Sequence, residues 1–278
     1  MADVLTDFSQ ASMAQAVEAN LFAFFQHLAG WPRVEMHDEP ACCWTLSDLP
    51  FPLFNSVLRA RLPDDRIDAL IDSRLAACEA RNVPMLWWTG PSTMPADLGE
   101  RLDRCGFVLE PARGMAADLE RHAGTLDTSS AASALSVEPV EDTATLAEWG
   151  RVLCDAFGAP RPFGEAFAEL AVTIGLGPRS PFRHFLARAD GQPAATCSLF
   201  LGAGVAGIYD VSTLPELRKR GLGRLVTDAA MREARARGYR MAILHSSALG
   251  AGIYRVLGFR DVCAIGQHVW VPQALKRT

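Results

Sequence analysis

Leu222, Leu225, Val226, Ala229, Ala230 and Ala234 recur at the spacing of one helix face, and Gly238 stands where such a helix would end. Residues 208–213 before this helix read as a strand, and 240–245 after it hold an apolar run of strand length. Further upstream, 143–157 has a helical pattern and 182–189 and 194–201 read as strands. Downstream come a short helix ending at Leu257, the pair Gly258-Phe259 and a last strand near 267–271. Helices alternating with strands predict a mixed α/β sheet fold, an α+β arrangement. The stretch 157–183 contains Pro160, Pro162, Pro178 and Pro181 and reads as irregular.

The first half of the chain runs in the same order. A helix over 11–28 precedes strands near 41–46 and 54–59, a helix over 64–81, an apolar strand over 84–88 and a helix over 95–105. Gly106-Phe107 and a closing strand over 115–119 follow. The phrase Leu102-Asp103-Arg104-Cys105-Gly106-Phe107 matches Tyr254-Arg255-Val256-Leu257-Gly258-Phe259 in its helix-to-Gly-Phe ending, which points to an internal duplication. Between the halves lie small and polar residues. The expected division is a domain over 1–122, a linker over 123–136 and a second domain over 137–278.

Composition narrows the classes. A chain of 278 residues, 49% hydrophobic and 21% charged, suits two globular domains, and no 18-residue apolar run offers a membrane span. The first residues lack the apolar core of a secretory signal, so a cytoplasmic protein is expected. The 7 cysteines form no CxxC pair and read as core residues. Cys42-Cys43 near His37 is rejected as a metal site, because adjacent strand residues face opposite ways; no metal is expected. A net charge of −5 argues against nucleic acid as a partner. Trp87-Trp88, in an apolar strand, reads as core.

Chemistry gathers in the passage from the strand at 208–213 into the following helix. Gly221 and Gly223 let the backbone approach a ligand, and the first amides of the helix are an anion site. Arg218, Lys219, Arg220 and Arg224 oppose the helix dipole unless an anion neutralises them. The counterpart passage at 55–65 has no glycine and carries Asp64 and Asp65. A dinucleotide-binding fingerprint fails, since Val226 stands at the third glycine position and no acidic residue ends the next strand. No Gly-Lys-Ser/Thr of a P-loop occurs.

Arg218-Lys219-Arg220-Gly221-Leu222-Gly223, between a strand and a helix, with Tyr254 in a Tyr-x-x-x-Gly-Phe phrase beyond the next strand, resembles the GNAT superfamily of N-acetyltransferases. The resemblance covers about 137–278 and implies two tandem GNAT-like acyl-CoA N-acyltransferase domains, the first degenerate. It implies acetyl-CoA as cosubstrate, entering where the strand at 208–213 parts from that at 240–245. The backbone of Val211 and Thr213 would hold the pantetheine. The segment Arg218, Lys219, Arg220, Gly221, Leu222, Gly223 and Arg224 would hold the pyrophosphate, and Ser247 would add a polar contact. Tyr254 would protonate the departing thiolate, and Asp210 would take the proton of a primary amine, with Tyr209, His245 and Glu216 as weaker bases. Gly207 is expected either to mark a bulge that parts the strands or to belong to the hairpin opened by Gly202-Ala203-Gly204. A small-molecule or peptide amine as acceptor and a monomer or homodimer fit this picture. The alternative is a GNAT-like module that binds acetyl-CoA, or a partner, without catalysis.

Overall fold

The structure is a computed structural model that describes residues 3–122 and 135–277, so 123–134 of the expected linker lie outside the described residues. In chain order the first half forms α1 (Gln10–Leu28), β1 (Val34–Asp38), β2 (Cys43–Ser47), β3 (Ser56–Leu58), α2 (Asp64–Arg81), β4 (Met85–Thr89), α3 (Leu98–Arg104) and β5 (Val108–Asp118). The second half forms β6 (Leu135–Val140), α4 (Thr143–Phe157), α5 (Arg161–Ile174), β7 (Phe182–Ala189), β8 (Gln192–Gly202), β9 (Val205–Thr213), α6 (Leu222–Ala236), β10 (Met241–Ser246), α7 (Ala251–Val256) and β11 (Arg260–Trp270). Two compact units result. One comprises Met1–Phe24 with Gly114–Val262, the other Phe25–Arg113 with Cys263–Thr278.

In the first unit the strand order is β5-β10-β9-β8-β7-β6. Strands β6 to β9 form an antiparallel meander, whereas β9 and β10 are parallel because α6 carries the chain back over the sheet. The amphipathic face of α6 (Leu222, Val226, Ala230, Met231, Ala234) is buried on Phe185, Ala187, Cys197 and Leu199 of β7 and β8 and on Ile208 of β9. Asp142 caps α4, its side chain accepting from the Thr145 amide at 2.8 Å, and Gly158 ends that helix at φ 68°.

The second unit repeats the plan. Its strand order is β1-β2-β3-β4-β11, with an antiparallel meander β1 to β3 and a parallel β3–β4 pair. Ile67 and Ile71 of α2 and Leu98 and Leu102 of α3 are buried with Trp87, Phe107 and Trp270. Trp87 is core, as its apolar surroundings led us to expect.

Two expectations need correction. The proline-containing stretch holds a helix: Pro160 precedes the first residue of α5 and Pro162 sits in its first turn, where a missing amide hydrogen costs nothing. That helix buries Phe167, Leu170 and Ala171, and its Gly164 fits against α4, since a Cβ there would lie 2.8 Å from Cys154 Sγ. Gly207 is not at a bulge. It pairs in regular register with Phe200 on β8 and Ile243 on β10. Its lack of a side chain instead admits Asn20 of α1, whose Oδ1 accepts from the Tyr209 hydroxyl at 2.7 Å and whose amide donates to Gly202 O at 2.9 Å.

A Cβ at Gly207 would overlap both Asn20 and the Tyr209 ring. Gly207→Ala should therefore lower unfolding stability by about 1–3 kcal/mol in urea melts. Adding Asn20→Ala should make the double variant less destabilised than the sum of the two single changes.

Candidate active site

The parallel pairing of β9 with β10 runs through Ala206, Gly207 and Ile208, opposite Ala242, Ile243 and Leu244, and stops there. Residues 209–213 of β9 continue without a partner on that side, so the strands fork at Tyr209. Two residues beyond the last pair, Asp210 has φ 54°, a left-handed conformation uncommon outside glycine. On the other edge the β8–β9 register shifts between Thr196 and Ser198, leaving Asp210 and Val211 opposite Cys197. The bulge that re-aims β9 is therefore at Asp210, not at Gly207.

Strand β8 holds this irregularity. Thr196 donates its hydroxyl to the Asp210 carbonyl at 2.7 Å and lies 2.7 Å from the Ser212 hydroxyl. Ser198 stands at the edge of the same bulge, where its hydroxyl favours the charged form of the Asp210 carboxylate, and its Oγ lies 2.8 Å from Nδ1 of His184 on β7. Asp210 Oδ2 is shielded and takes no hydrogen bond. Burial raises the Asp210 pKa to about 6, against the opposing pull of the Ser198 bond. Thr196 and Ser198 were missed by sequence reasoning; the signal was two hydroxyl residues inside the apolar run of β8.

The other expected bases differ in kind. Burial depresses His245 to about 4, despite a hydrogen bond to the Val17 backbone, so it is neutral near pH 7. Burial and the neighbouring Asp210 push the Tyr209 phenol well up, and its hydroxyl is engaged by Asn20. Glu216 is exposed, in the 3-10 turn Pro215–Leu217.

Beyond β9 the chain enters α6 through Lys219 at φ 64° and Gly221 at φ 85°. Gly221 is the N-cap residue and no side chain caps the helix, leaving the first amides of α6 available to a ligand. Lys219, Arg220 and Gly221 are exposed and Arg224 is half-buried, whereas Leu222 is buried and offers only its backbone. Gly223 faces Thr213 and Ile253: a Cβ there would stand 3.6 Å from Thr213 Oγ1 and 3.7 Å from Ile253 Cδ1. Arg218 is a strut as well as a charge, donating to Thr213 O at 3.2 Å and Ala156 O at 3.0 Å. Tyr254 lies in α7, its ring edge-on to Phe259 with centroids 5.9 Å apart, in the buried cluster that contains Cys197. Burial raises its phenol pKa, so the hydroxyl keeps its proton at neutral pH. Ser247 is exposed at the end of β10, and its Oγ accepts from Gly250 N at 3.3 Å. A cavity of about 510 Å³ in the same unit, lined by Phe8, Met13, His122 and Arg260 among others, includes none of these residues.

The second unit has the same fork, filled. Its parallel pairing ends at Val57 and Trp87, and two residues on Arg59 has φ 56°, matching Asp210 in position and backbone. Ala60 and Leu62 then correspond to Val211 and Thr213. Both are taken by the chain itself: Met94 N donates to Ala60 O at 3.0 Å, and Leu62 N donates to Met94 O at 3.3 Å. The following helix, α2, has Asp64 and Asp65 in its first turn, and Asp64 pairs with Arg101. Leu102 is fully buried where the other unit has Tyr254.

Residues 147–259 match the model of the acetyltransferase (GNAT) family. Among solved structures, a GCN5-related N-acetyltransferase from Kribbella flavida, 17% identical, aligns over 93% of this chain and 98% of its own with a TM-score of 0.69. A GCN5-related N-acetyltransferase from Sphaerobacter thermophilus, 15% identical, aligns over 98% and 95% with a TM-score of 0.60. A tandem GNAT protein from the clavulanic acid biosynthesis pathway, 14% identical, aligns over 97% of both chains with a TM-score of 0.59. No curated protein matches the sequence. Residues 147–259 form a GNAT acetyltransferase domain, and the chain has a tandem GNAT fold. Among the described residues no helix is long and apolar enough to cross a membrane, and no cluster of three or more His, Cys, Asp or Glu is placed to hold a metal ion.

An acid whose pKa is raised on folding binds protons more tightly in the native state, so it lowers stability as pH climbs from its unfolded to its folded value. Between 3.8 and about 6, Asp210 should do so. Asp210→Asn should unfold at the same urea concentration as wild type near pH 4 and be more stable by about 2 kcal/mol at pH 8. Paired urea melts at the two pH values check this.

Proposed function

We propose that the protein is an acetyl-CoA-dependent N-acetyltransferase acting on a primary amine, with a catalytic C-terminal lobe, 137–278, and a degenerate N-terminal lobe. The observation that carries this reading is the open fork of β9 and β10, with a half-buried carboxylate, one oxygen shielded, at its branch and an uncapped, glycine-entered helix N-terminus beside it. Pantetheine pairs with the free edge of β9 at Val211 and Thr213. The amides from Lys219 to Arg224 receive the pyrophosphate, whose charge answers the exposed cations of that turn. Arg218 braces the turn through its carbonyl contacts, and Ser247 lies at the far side of the fork. GNAT proteins that bind without catalysis make the second reading, but Asp210 argues for chemistry: a shielded oxygen and a pKa near neutrality suit a base rather than a surface carboxylate.

In the reaction, Asp210 takes a proton from the bound alkylammonium, directly or through one water. The neutral amine attacks the thioester carbonyl. As the C–S bond breaks, Tyr254 would donate its phenolic hydrogen to the leaving thiolate, and the second proton lost by the amine nitrogen would pass through solvent to restore the phenol. Tyr254 serves as an uncharged donor because burial keeps the phenol protonated.

Acetyl-CoA turnover measured against a broad panel of amines, with acetyl-CoA titrated by calorimetry, tests the reading. One cofactor per chain is expected, because Met94 fills the second fork. Tight binding without turnover of any amine would favour the binding module. Gly221→Val, at φ 85°, should abolish measurable acetyl-CoA binding in the same titration; wild-type affinity would refute the phosphate site. Tyr254→Phe should lower kcat by about 10- to 100-fold with acetyl-CoA affinity nearly intact. An unchanged kcat would remove Tyr254 from the mechanism.

A further inference from the structure

His184 is fully buried among Trp149, Phe167 and Phe182, with ring centroids at 4.7, 5.9 and 4.4 Å, yet it presents Nδ1 to Ser198 Oγ at 2.8 Å. A polar ring in such a place needs a reason. We propose that His184 and Ser198 are positioning residues for Asp210: the Ser198 hydroxyl donates to the carboxylate, and the His184 Nδ1–H fixes that hydroxyl's single hydrogen in this direction. The inference rests on Asp210 as the base but is measured independently of it.

With the Ser198–Asp210 bond made, the hydrogen count leaves one arrangement. An ionised carboxylate only accepts, so Ser198 gives it its hydrogen. Ser198 Oγ must then accept from His184, which places the imidazole hydrogen on Nδ1. Nε2 is left a bare acceptor, and it is buried with no partner. Burial, reinforced by Arg183, holds His184 down to about 3, so the ring stays neutral and acts through hydrogen bonding alone.

The other groups around Asp210 leave this role to the pair. Cys197 and Tyr209, its neighbours on β8 and β9, are both kept protonated by burial. On β10, His245 is neutral. Arg183 on β7 is turned to Glu141 and Glu233. On α4, Glu148 pairs with Arg188 and Asp155 with Arg161; on α6, Asp228 pairs with His122 and Arg232. Glu18 of α1 is buried and has interactions of its own.

The test is direct titration of Asp210 in the intact chain, with 13C-labelled aspartate carboxyls observed by NMR and the Asp210 signal assigned by its loss in Asp210→Asn. Loss of a hydrogen bond to the charged form should raise the midpoint of Ser198→Ala by about one pH unit. Ser198→Thr, which keeps the hydroxyl, should titrate as wild type. His184→Phe, matched to its aromatic surroundings, should also titrate higher, because the Ser198 hydrogen is no longer directed. An unchanged midpoint in Ser198→Ala, or in His184→Phe if the alanine variant does not fold, overturns the proposal. Turnover of Asp210→Asn decides separately whether Asp210 is the base, so the two ideas fail by different measurements.

Discussion

A non-glycine residue held in the left-handed region costs of the order of 1–3 kcal/mol, and Asp210 adopts it in the middle of a strand. The rest of the candidate site depends on that constraint. By turning β9 one residue out of register with β8, it ends the parallel pairing at Ile208 and sends the strand's free edge away from β10. The compensation comes from β8, where the Thr196 hydroxyl satisfies the Asp210 carbonyl and Ser198 favours the charged carboxylate. Strain, cleft and buried acid are thus one feature seen three ways. A regular strand here would close the fork and turn the carboxylate to solvent.

Most helices and strands were legible from their apolar patterning and their boundaries. α2 and α4 follow the expected bounds, and α6 ends just before the predicted stop at Gly238. The hidden parts have identifiable physical causes. Pro160 and Pro162 look like breakers but occupy the one helical turn that tolerates them, so α5 was read as irregular. Gly207 suggested a bulge because glycine is permissive; its role is steric, admitting Asn20 from far away in the sequence. The left-handed backbone at Asp210 has no local signal beyond an aspartate, a residue that tolerates that region better than most. Thr196 and Ser198 acquire their roles only once β8 lies beside β9.

The candidate phosphate turn stood out for a different reason. Glycines and cations cluster at a helix start only where something answers their charge, so the turn from Arg218 to Arg224 stood out without any fold. Its neighbours did not stand out. His184 reads as one more residue in an apolar strand, and nothing in its local pattern separates a buried hydrogen-bond donor from core. Spacing shows where backbone is free to bind, but not which side chains two strands away come to stand near a carboxylate.

The duplicated half shows what the fork requires. Arg59 keeps the left-handed turn that Asp210 has, so the backbone device outlasts the chemistry. What differs is occupancy. Met94 pairs with the Ala60 carbonyl and the Leu62 amide that would otherwise face a ligand, while carboxylates stand at the following helix start. A free strand edge is an unsatisfied set of polar groups, and each unit resolves it differently. The second unit resolves it with its own chain and so is complete without a ligand. The first leaves the edge open, and an extended molecule with a terminal polyanion matches both its free backbone and its uncapped helix. The asymmetry between the lobes is therefore a difference in how the same backbone edge is satisfied.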